Sequence, residues 1–256
     1  MRNLHKAYYK DYFKGINFIY LLNDGEGPKS EIKRRNVDLT ARNLLYKIPK
    51  NPLVKQSFEL QIAYPGLVTG IGINHEAKIE GEFKLGVHFD WTYGMPIIYG
   101  SSVKGVLRAW FKEFYKGSRD IFDYEMEIFE GVMRDIDAEK RIYGKDWEEK
   151  VRHLKKRIYS PKTIYDRDIF FDAVITAPDT KGRILCSDSI TPHGDNPLKN
   201  PKPITFLKIA PGCKLEFRFK LTGSNEEIKQ KITLFREILT TVGIGAKTNV
   251  GYGQLK

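Results

Sequence analysis

The stretch CKLEFRFKLTGSNEEIKQKITLFREILTTVG, Cys213 to Gly243, changes its apolar period once, and that change limits the folds open to the chain. Leu215, Phe217, Phe219 and Leu221 alternate with Lys214, Glu216, Arg218 and Lys220, which predicts a strand with one buried and one charged face. From Ile228 the apolar residues Ile232, Phe235, Ile238, Leu239 and Val242 recur at helical spacing, with Ser224 or Asn225 as cap and Gly243 past the end. A strand feeding an amphipathic helix this directly has to bury both apolar faces in one layered core.

The same pair of periods occurs earlier in the chain. SFELQIAYPG alternates Phe58, Leu60, Ile62 and Tyr64 with Glu59, Gln61 and Ala63 and stops at Pro65-Gly66, a first strand. SSVKGVLRAWFKEFY places Val103, Val106, Leu107, Trp110, Phe111 and Phe114 on one helical face, behind serines able to cap. DIFFDAVITAP, from Asp168, is β-branched and aromatic and ends at a proline, a second strand, and the tail VGYGQLK is a short last one. Strand, helix, strand, strand, helix, strand is the order of an α+β, ferredoxin-like (RRM-like) βαββαβ core. Long insertions are expected at about 116–167, charged and partly helical, and at about 178–212, rich in Pro, Gly, Asn and Asp. Residues 1–55 form an expected mainly helical N-terminal extension, with TARNLLYKI its most helical part, and residues 56–256 form the domain.

Lys and Arg number 43 against 32 acidic residues, a formal charge of +11, which favours a polyanionic partner over an acidic small molecule. Cys186 and Cys213 make neither a disulfide framework nor a Cys-x-x-Cys pair. MRNLHKAYYKDYFKG lacks the apolar core of a signal peptide and no eighteen apolar residues run together, so a cytoplasmic protein without a membrane partner is expected.

Two stretches carry chemistry. GIGAKTNVGYG, Gly243 to Gly253, sets Lys247-Thr248 among four glycines but is not a P-loop. Ala246 and Thr241 stand where that motif needs glycine, and the flanking elements run helix then strand instead of strand then helix. Gly243, Gly245 and Gly251 allow close approach of another backbone, while Lys247, Thr248, Asn249 and Tyr252 supply a charge, donors and a stacking ring for RNA. A helix cap followed by a bulge accounts for Gly243 and Gly251 alone. In YGMPIIYGSSVKGVLRAWF, Ser101 and Ser102 open a helix with Lys104 and Arg108 one turn apart, an N-terminal anion site that takes phosphate without reading sequence. Two plain capping serines explain the same residues.

Catalytic groups are sparse. His75 is either a general base for RNA cleavage, without an assignable partner, or a hydrogen-bonded loop residue that touches RNA. Cys186, Asp188 and His193 match no zinc spacing, and no metal or cofactor is expected. The basic run VRHLKKRIYSPK is either a solvated helix face or a phosphate track.

GLVTGIG, then MPIIYGSSVKGVLR, then GIGAKTNVGYG together resemble the RAMP superfamily of CRISPR-associated proteins, above all the sixth-subunit family of the type III-B, or Cmr, effector complex. SITPHGDNP followed by PKPITFLKIAPG resembles a further segment of that family, and the resemblance covers about residues 56–256. Tyr99 stands where the family often has proline, and Gly194 follows His193 where an aromatic residue is common. The resemblance implies a non-catalytic subunit that binds guide RNA near its 3′ end, caps a filament of backbone subunits in antiviral defence, and meets target RNA and neighbouring Cmr subunits. It also implies an RNA-contacting loop in 178–212, which holds His193, with the glycine loop and Lys104 close to the guide backbone. The alternative it implies is a metal-independent endoribonuclease of the same superfamily that processes CRISPR repeat RNA, using His75 or Asp90.

Overall fold

The computed structural model describes residues 3–16, 26–41, 45–72, 79–83, 85–113, 168–191 and 203–256. His75, His193, the insertion at 116–167 and the basic run VRHLKKRIYSPK lie outside the described residues.

Among the described residues are two four-stranded sheets in a mixed α+β arrangement. The first contains β1 (Gln56–Gln61), β4 (Ile97–Ile98), β5 (Ile169–Ala177) and β8 (Lys214–Lys220), in the order β1-β8-β5-β4 and antiparallel throughout. Phe58 pairs directly with Phe217, and their rings stack at 5.5 Å. Two helices follow the expected positions, α3 (Gly100–Glu113) and α4 (Asn225–Val242). Phe235 of α4 packs on Phe219 and Phe170 at 5.6 and 5.7 Å, while Val103 and Leu107 of α3 are buried in the same core. The strand-to-helix junction is fixed by a buried ion pair. Lys231 Nζ lies 2.6 Å from Asp168 Oδ2, Thr222 donates its N–H and hydroxyl to Asp168 Oδ1, and Lys231 also donates to Thr222 O.

Three features differ from the expectations. The face of β8 expected to be charged is covered at its centre, while Lys214 is exposed: Glu216 and Arg218 are buried, Arg218 Nε donates to Glu216 Oε2 at 2.8 Å, and Ser57 Oγ donates to Glu216 Oε1. Pairing both charges is what permits their burial. The tail is only partly a strand. A 3₁₀ turn, Thr248–Val250, comes first, and residues 253–256 then pair antiparallel with 61–66 through the Ile62–Leu255 bridge and the Lys256–Gln61 hydrogen bonds. Within 178–212, expected as a loop-rich insertion, lie β6 (Leu185–Ile190) and β7 (Ile204–Ile209), an antiparallel pair. With β2 (Ile71–Gly72) and β3 (Leu85–Gly86) they form the second sheet, in which Leu85 pairs parallel with Phe206.

The N-terminal helix is also displaced from its expected place. α1 (Leu4–Lys6) continues as a π-helical turn, Ala7–Asp11, and α2 covers Glu26–Thr40, so TARNLLYKI begins where α2 ends and residues 45–48 are not helical. Leu4, Tyr8, Tyr12, Ile32 and Leu39 belong to the same apolar core as the strands. Arg35 of α2 donates to the carbonyls of Asp11, Tyr12 and Lys14, satisfying groups that a helix end leaves open. No helix among the described residues is long and apolar enough to cross a membrane.

Candidate nucleic-acid interface

The segment Gly66–Gly70 joins the two sheets. Leu67 exchanges both backbone hydrogen bonds with Ile209 at the end of β7, and Val68 O accepts the Ala246 N–H at 2.6 Å. The glycine loop is therefore a backbone partner of 66–70. Gly253 N–H donates to Gly66 O, Ile244 N–H donates to Gly253 O, and a Cβ at Gly253 would lie 1.9 Å from Ile244 O. Gly243 caps α4 through its N–H to Leu239 O. Gly245 and Asn249 are exposed, and Thr248 is half-buried.

Lys247 heads the Thr248–Val250 turn with φ +61° and ψ +33°, the one non-glycine residue with positive φ among the described residues. Its carbonyl accepts from both Val250 N–H and Tyr252 N–H. A lysine held in the left-handed region costs about 1–2 kcal/mol relative to ordinary helical backbone, so the fold over-determines the direction of this part of the loop.

Tyr252, expected to offer a stacking ring, is only 7 % exposed. It packs with Val68 and Phe206, and its hydroxyl donates to Asp188 Oδ2 at 2.8 Å. The Lys208 ammonium, buried in β7, pairs with the same carboxylate and lies 5.4 Å from the Tyr252 ring centre. Burial pushes the Asp188 carboxyl up, but the bonds from Lys208, Tyr252 and the Ser189 N–H outweigh it and hold it below the usual carboxylate range. Asp188, drawn from sequence as a loose metal-ligand candidate, is the anchor of this ring instead. The exposed ring near the loop is Tyr64, 85 % exposed, next to Pro65, whose Cδ lies 3.8 Å from the Cβ position of Gly251.

A chain of contacts links the glycine loop to the start of α3. Beyond Val68, Thr69 Oγ1 accepts the His88 N–H at 2.8 Å, and the His88 ring stacks on Tyr99 at 4.4 Å. Tyr99 O accepts from Ser102 and Val103 N–H, the first backbone bonds of α3, so Ser101 and Ser102 lie inside the helix and not at the capping position before it. The helix N-terminus already holds an acid: Asp172 of β5 accepts the Gly100 N–H at 2.8 Å. That carboxylate takes the favourable position an incoming phosphate would need. Ser101 and Arg108 are exposed, Ser102 is half-buried, and Lys104 extends its ammonium to 5.8 Å from the Phe170 ring centre. Asp90 Oδ1 accepts from Thr92 and Tyr93 N–H, which commits it to a turn. Sequence reasoning missed Asp172, Thr69 and Lys208, and gave Asp188 a different role, because each acts through a partner more than fifteen residues away.

Comparison with known proteins agrees with these motifs. The chain is 26 % identical over 226 residues to the CRISPR system Cmr subunit Cmr6 of Pyrococcus furiosus, covering 74 % of this chain and 64 % of that protein. It is 26 % identical over 174 residues to the Cmr6 subunit of Saccharolobus solfataricus, covering 66 % and 48 %. The chain thus spans about half to two-thirds of the length of these relatives. Among solved structures, the crystal structure of Cmr6 from Pyrococcus furiosus matches at a TM-score of 0.48 and 20 % identity, over 80 % of this chain and 98 % of that one. A chain of the type III-B Cmr-beta bound to cognate target RNA, solved by cryo-EM, matches at 0.47 and 20 %, over 78 % and 57 %. The RAMP superfamily model matches residues 59–256, and the chain belongs to the RAMP superfamily, with Cmr6 proteins among its relatives.

Proposed function

We propose that this chain is a non-catalytic RNA-binding subunit of a type III-B CRISPR (Cmr) effector complex. It contacts the guide RNA near its 3′ end, caps the filament of backbone subunits, and meets target RNA and neighbouring Cmr subunits there. The observation that carries the reading is the family match together with relatives named as Cmr6 subunits. The order of antiparallel pairing, with the tail beside β1, then β8, then β5, supports a ferredoxin-like βαββαβ core in which β4 and the second sheet are additions.

On this reading the glycine loop presents Lys247, Thr248 and Asn249 to the RNA backbone, with Tyr64 as the ring available for stacking and Tyr252 as the buried post that holds the loop. Lys104 and Arg108 extend the basic surface along α3 from Ser101 and Ser102. His75 and His193 complete the proposed contacts. Phosphate contacts of this kind position RNA without selecting its sequence.

Incubating the purified protein with labelled single-stranded RNA in EDTA, and scoring binding and cleavage on one gel, tests the proposal. Bound and intact RNA is expected. Defined cleavage products that disappear in His75→Ala would overturn the non-catalytic reading.

A further inference from the structure

Away from the glycine loop, the N-terminal segment docks on the turn at 90–94. Leu4 N–H donates to Gly94 O, and the Asn3 side chain lies against Gly94, where a Cβ would meet Asn3 Oδ1 at 2.2 Å. Asp90 closes the same turn from inside through its carboxylate and its carbonyl. The result is an open pocket of about 340 Å³ lined by His5, Tyr9, His88, Phe89, Trp91 and Tyr99. Every lining residue among those described is aromatic.

The pocket is held from two sides. His88 and Tyr99 stack on each other, with His88 also fixed through its backbone to Thr69. His5 lies 4.4 Å from Trp91 and 4.9 Å from Tyr9, ring centre to ring centre. Trp91 is nevertheless 76 % exposed, and Tyr9 is exposed too. A tryptophan held beside His5 with most of its surface in water offers a π face that the other described residues leave largely uncovered. The volume falls within the roughly 300–1,000 Å³ range of small-ligand sites.

Charge identifies the occupant. His5 and Tyr9 line this pocket at i and i+4, and on the adjoining face of the same helical segment Lys6 and Lys10, one position later, line a second hollow with Asp11, Phe13 and Lys14. Lys6 pairs with Asp11 at 3.7 Å, which leaves an excess of positive charge in the hollow. An aromatic pocket beside a row of ammonium groups fits a ligand with a flat uncharged heterocycle and a phosphate one bond chain away. A protein partner that buried Trp91 would not need the lysine row.

We infer that the His5–Tyr9–Trp91–Tyr99 pocket takes one unstacked base of single-stranded RNA, whose adjoining phosphate lies on Lys6 and Lys10. The inference rests on the RNA-binding reading and adds to it a second contact, specific for a base and separate from the backbone contacts of the glycine loop.

The test compares the full chain's affinity for a single-stranded RNA and for a strand of equal length and charge made of abasic nucleotides. Base–aromatic stacking is worth about 1–3 kcal/mol per base, or roughly 5- to 150-fold. The wild type is expected to prefer the base-bearing strand by a factor in that range, and Trp91→Ala to remove most of that preference while keeping its affinity for the abasic strand. His5→Ala, in the wall beside Trp91, should reduce the preference as well. Lys247→Ala should weaken both strands alike and leave the ratio intact. Trp91 is exposed, so its removal leaves the core in place. An unchanged ratio in Trp91→Ala and His5→Ala, with RNA still bound, overturns the pocket and spares the glycine-loop reading. Loss of assembly with other Cmr subunits at unchanged RNA affinity in Trp91→Ala also overturns it, and assigns the pocket to a protein. Absence of RNA binding by the wild type refutes both readings together.

Discussion

Substituting Gly253 and Gly251 separately by alanine measures how tightly the glycine loop is locked to the fold. Both have φ in the left-handed region, +75° and +92°. A side chain there costs each about 1–2 kcal/mol in backbone conformation. The surroundings then set them apart. At Gly251 the nearest atom to a new Cβ is Pro65 Cδ at 3.8 Å, an ordinary contact, so the conformational cost is the whole effect. At Gly253 the Cβ would lie 1.9 Å from Ile244 O, a backbone atom that cannot turn aside. Relieving that overlap strains the packing by about 1–3 kcal/mol. Moving the strand apart also weakens Gly253 N–H to Gly66 O and Ile244 N–H to Gly253 O, 2.8 and 2.9 Å, each worth about 1 kcal/mol. Gly253→Ala should therefore lose about 3–5 kcal/mol, against the 1–2 of Gly251→Ala. Denaturant unfolding of the two variants beside the wild type resolves a difference of that size. Equal losses at the two positions, or a Gly253→Ala protein as stable as the wild type, would refute the described packing of the loop on residues 66–70.

Lys231→Met leaves the Asp168 carboxylate buried without its ammonium, and the midpoint of denaturant unfolding should fall by the equivalent of about 3–5 kcal/mol, with part of the loss recovered when Asp168→Asn is added, which removes the charge and keeps an acceptor for the Thr222 N–H and hydroxyl. Lys247→Gly relieves a left-handed lysine at about 1–2 kcal/mol and adds glycine's backbone entropy of roughly 0.5–1, so stability should rise slightly while RNA affinity falls as in Lys247→Ala; a loss of stability would contradict the strained geometry. Asp188 titrates below the ordinary carboxylate range in the folded chain, so its contribution is present above about pH 4, the unfolded value, and is lost as pH falls through the lower folded value. The stability gap between wild type and Asp188→Asn should accordingly be widest near neutrality and narrow below about pH 4, as followed by unfolding across pH.

Where the apolar period is long and unbroken, the sequence is enough to place an element. α3, α4, β1, β5 and β8 lie within a few residues of their expected bounds: α3, α4 and β1 bury one regular face, while β5 and β8 are marked by their β-branched and aromatic residues although both faces of β8 are covered at its centre. The second sheet was not legible. β7, ITFLKI, buries Lys208 as well as Phe206 and Ile209, so it lacks alternation, and β2 and β3 are two residues each. Only the distant partner Asp188, through its ion pair, makes Lys208 a buried residue. The same limit applies to the candidate site. The glycines and Lys247 stand out by composition, but Tyr252 reads as a surface ring because its acceptor lies 64 residues away. The aromatic pocket joins positions 5 and 9 to positions 88–99, a juxtaposition that no local pattern encodes.

The measurement that bears most directly on the RNA-binding claim is the salt dependence of affinity for single-stranded RNAs of unrelated sequence, for the wild type, Lys104→Ala and Lys247→Ala. Each lysine that neutralises a phosphate contributes about 0.7 to the slope of log affinity against log salt on a single strand. The account predicts affinity that falls linearly on that plot, and for each variant a slope smaller by about 0.7 or less, to the same extent on every sequence. Affinity indifferent to salt, or variants whose defect is confined to particular base sequences, would contradict it.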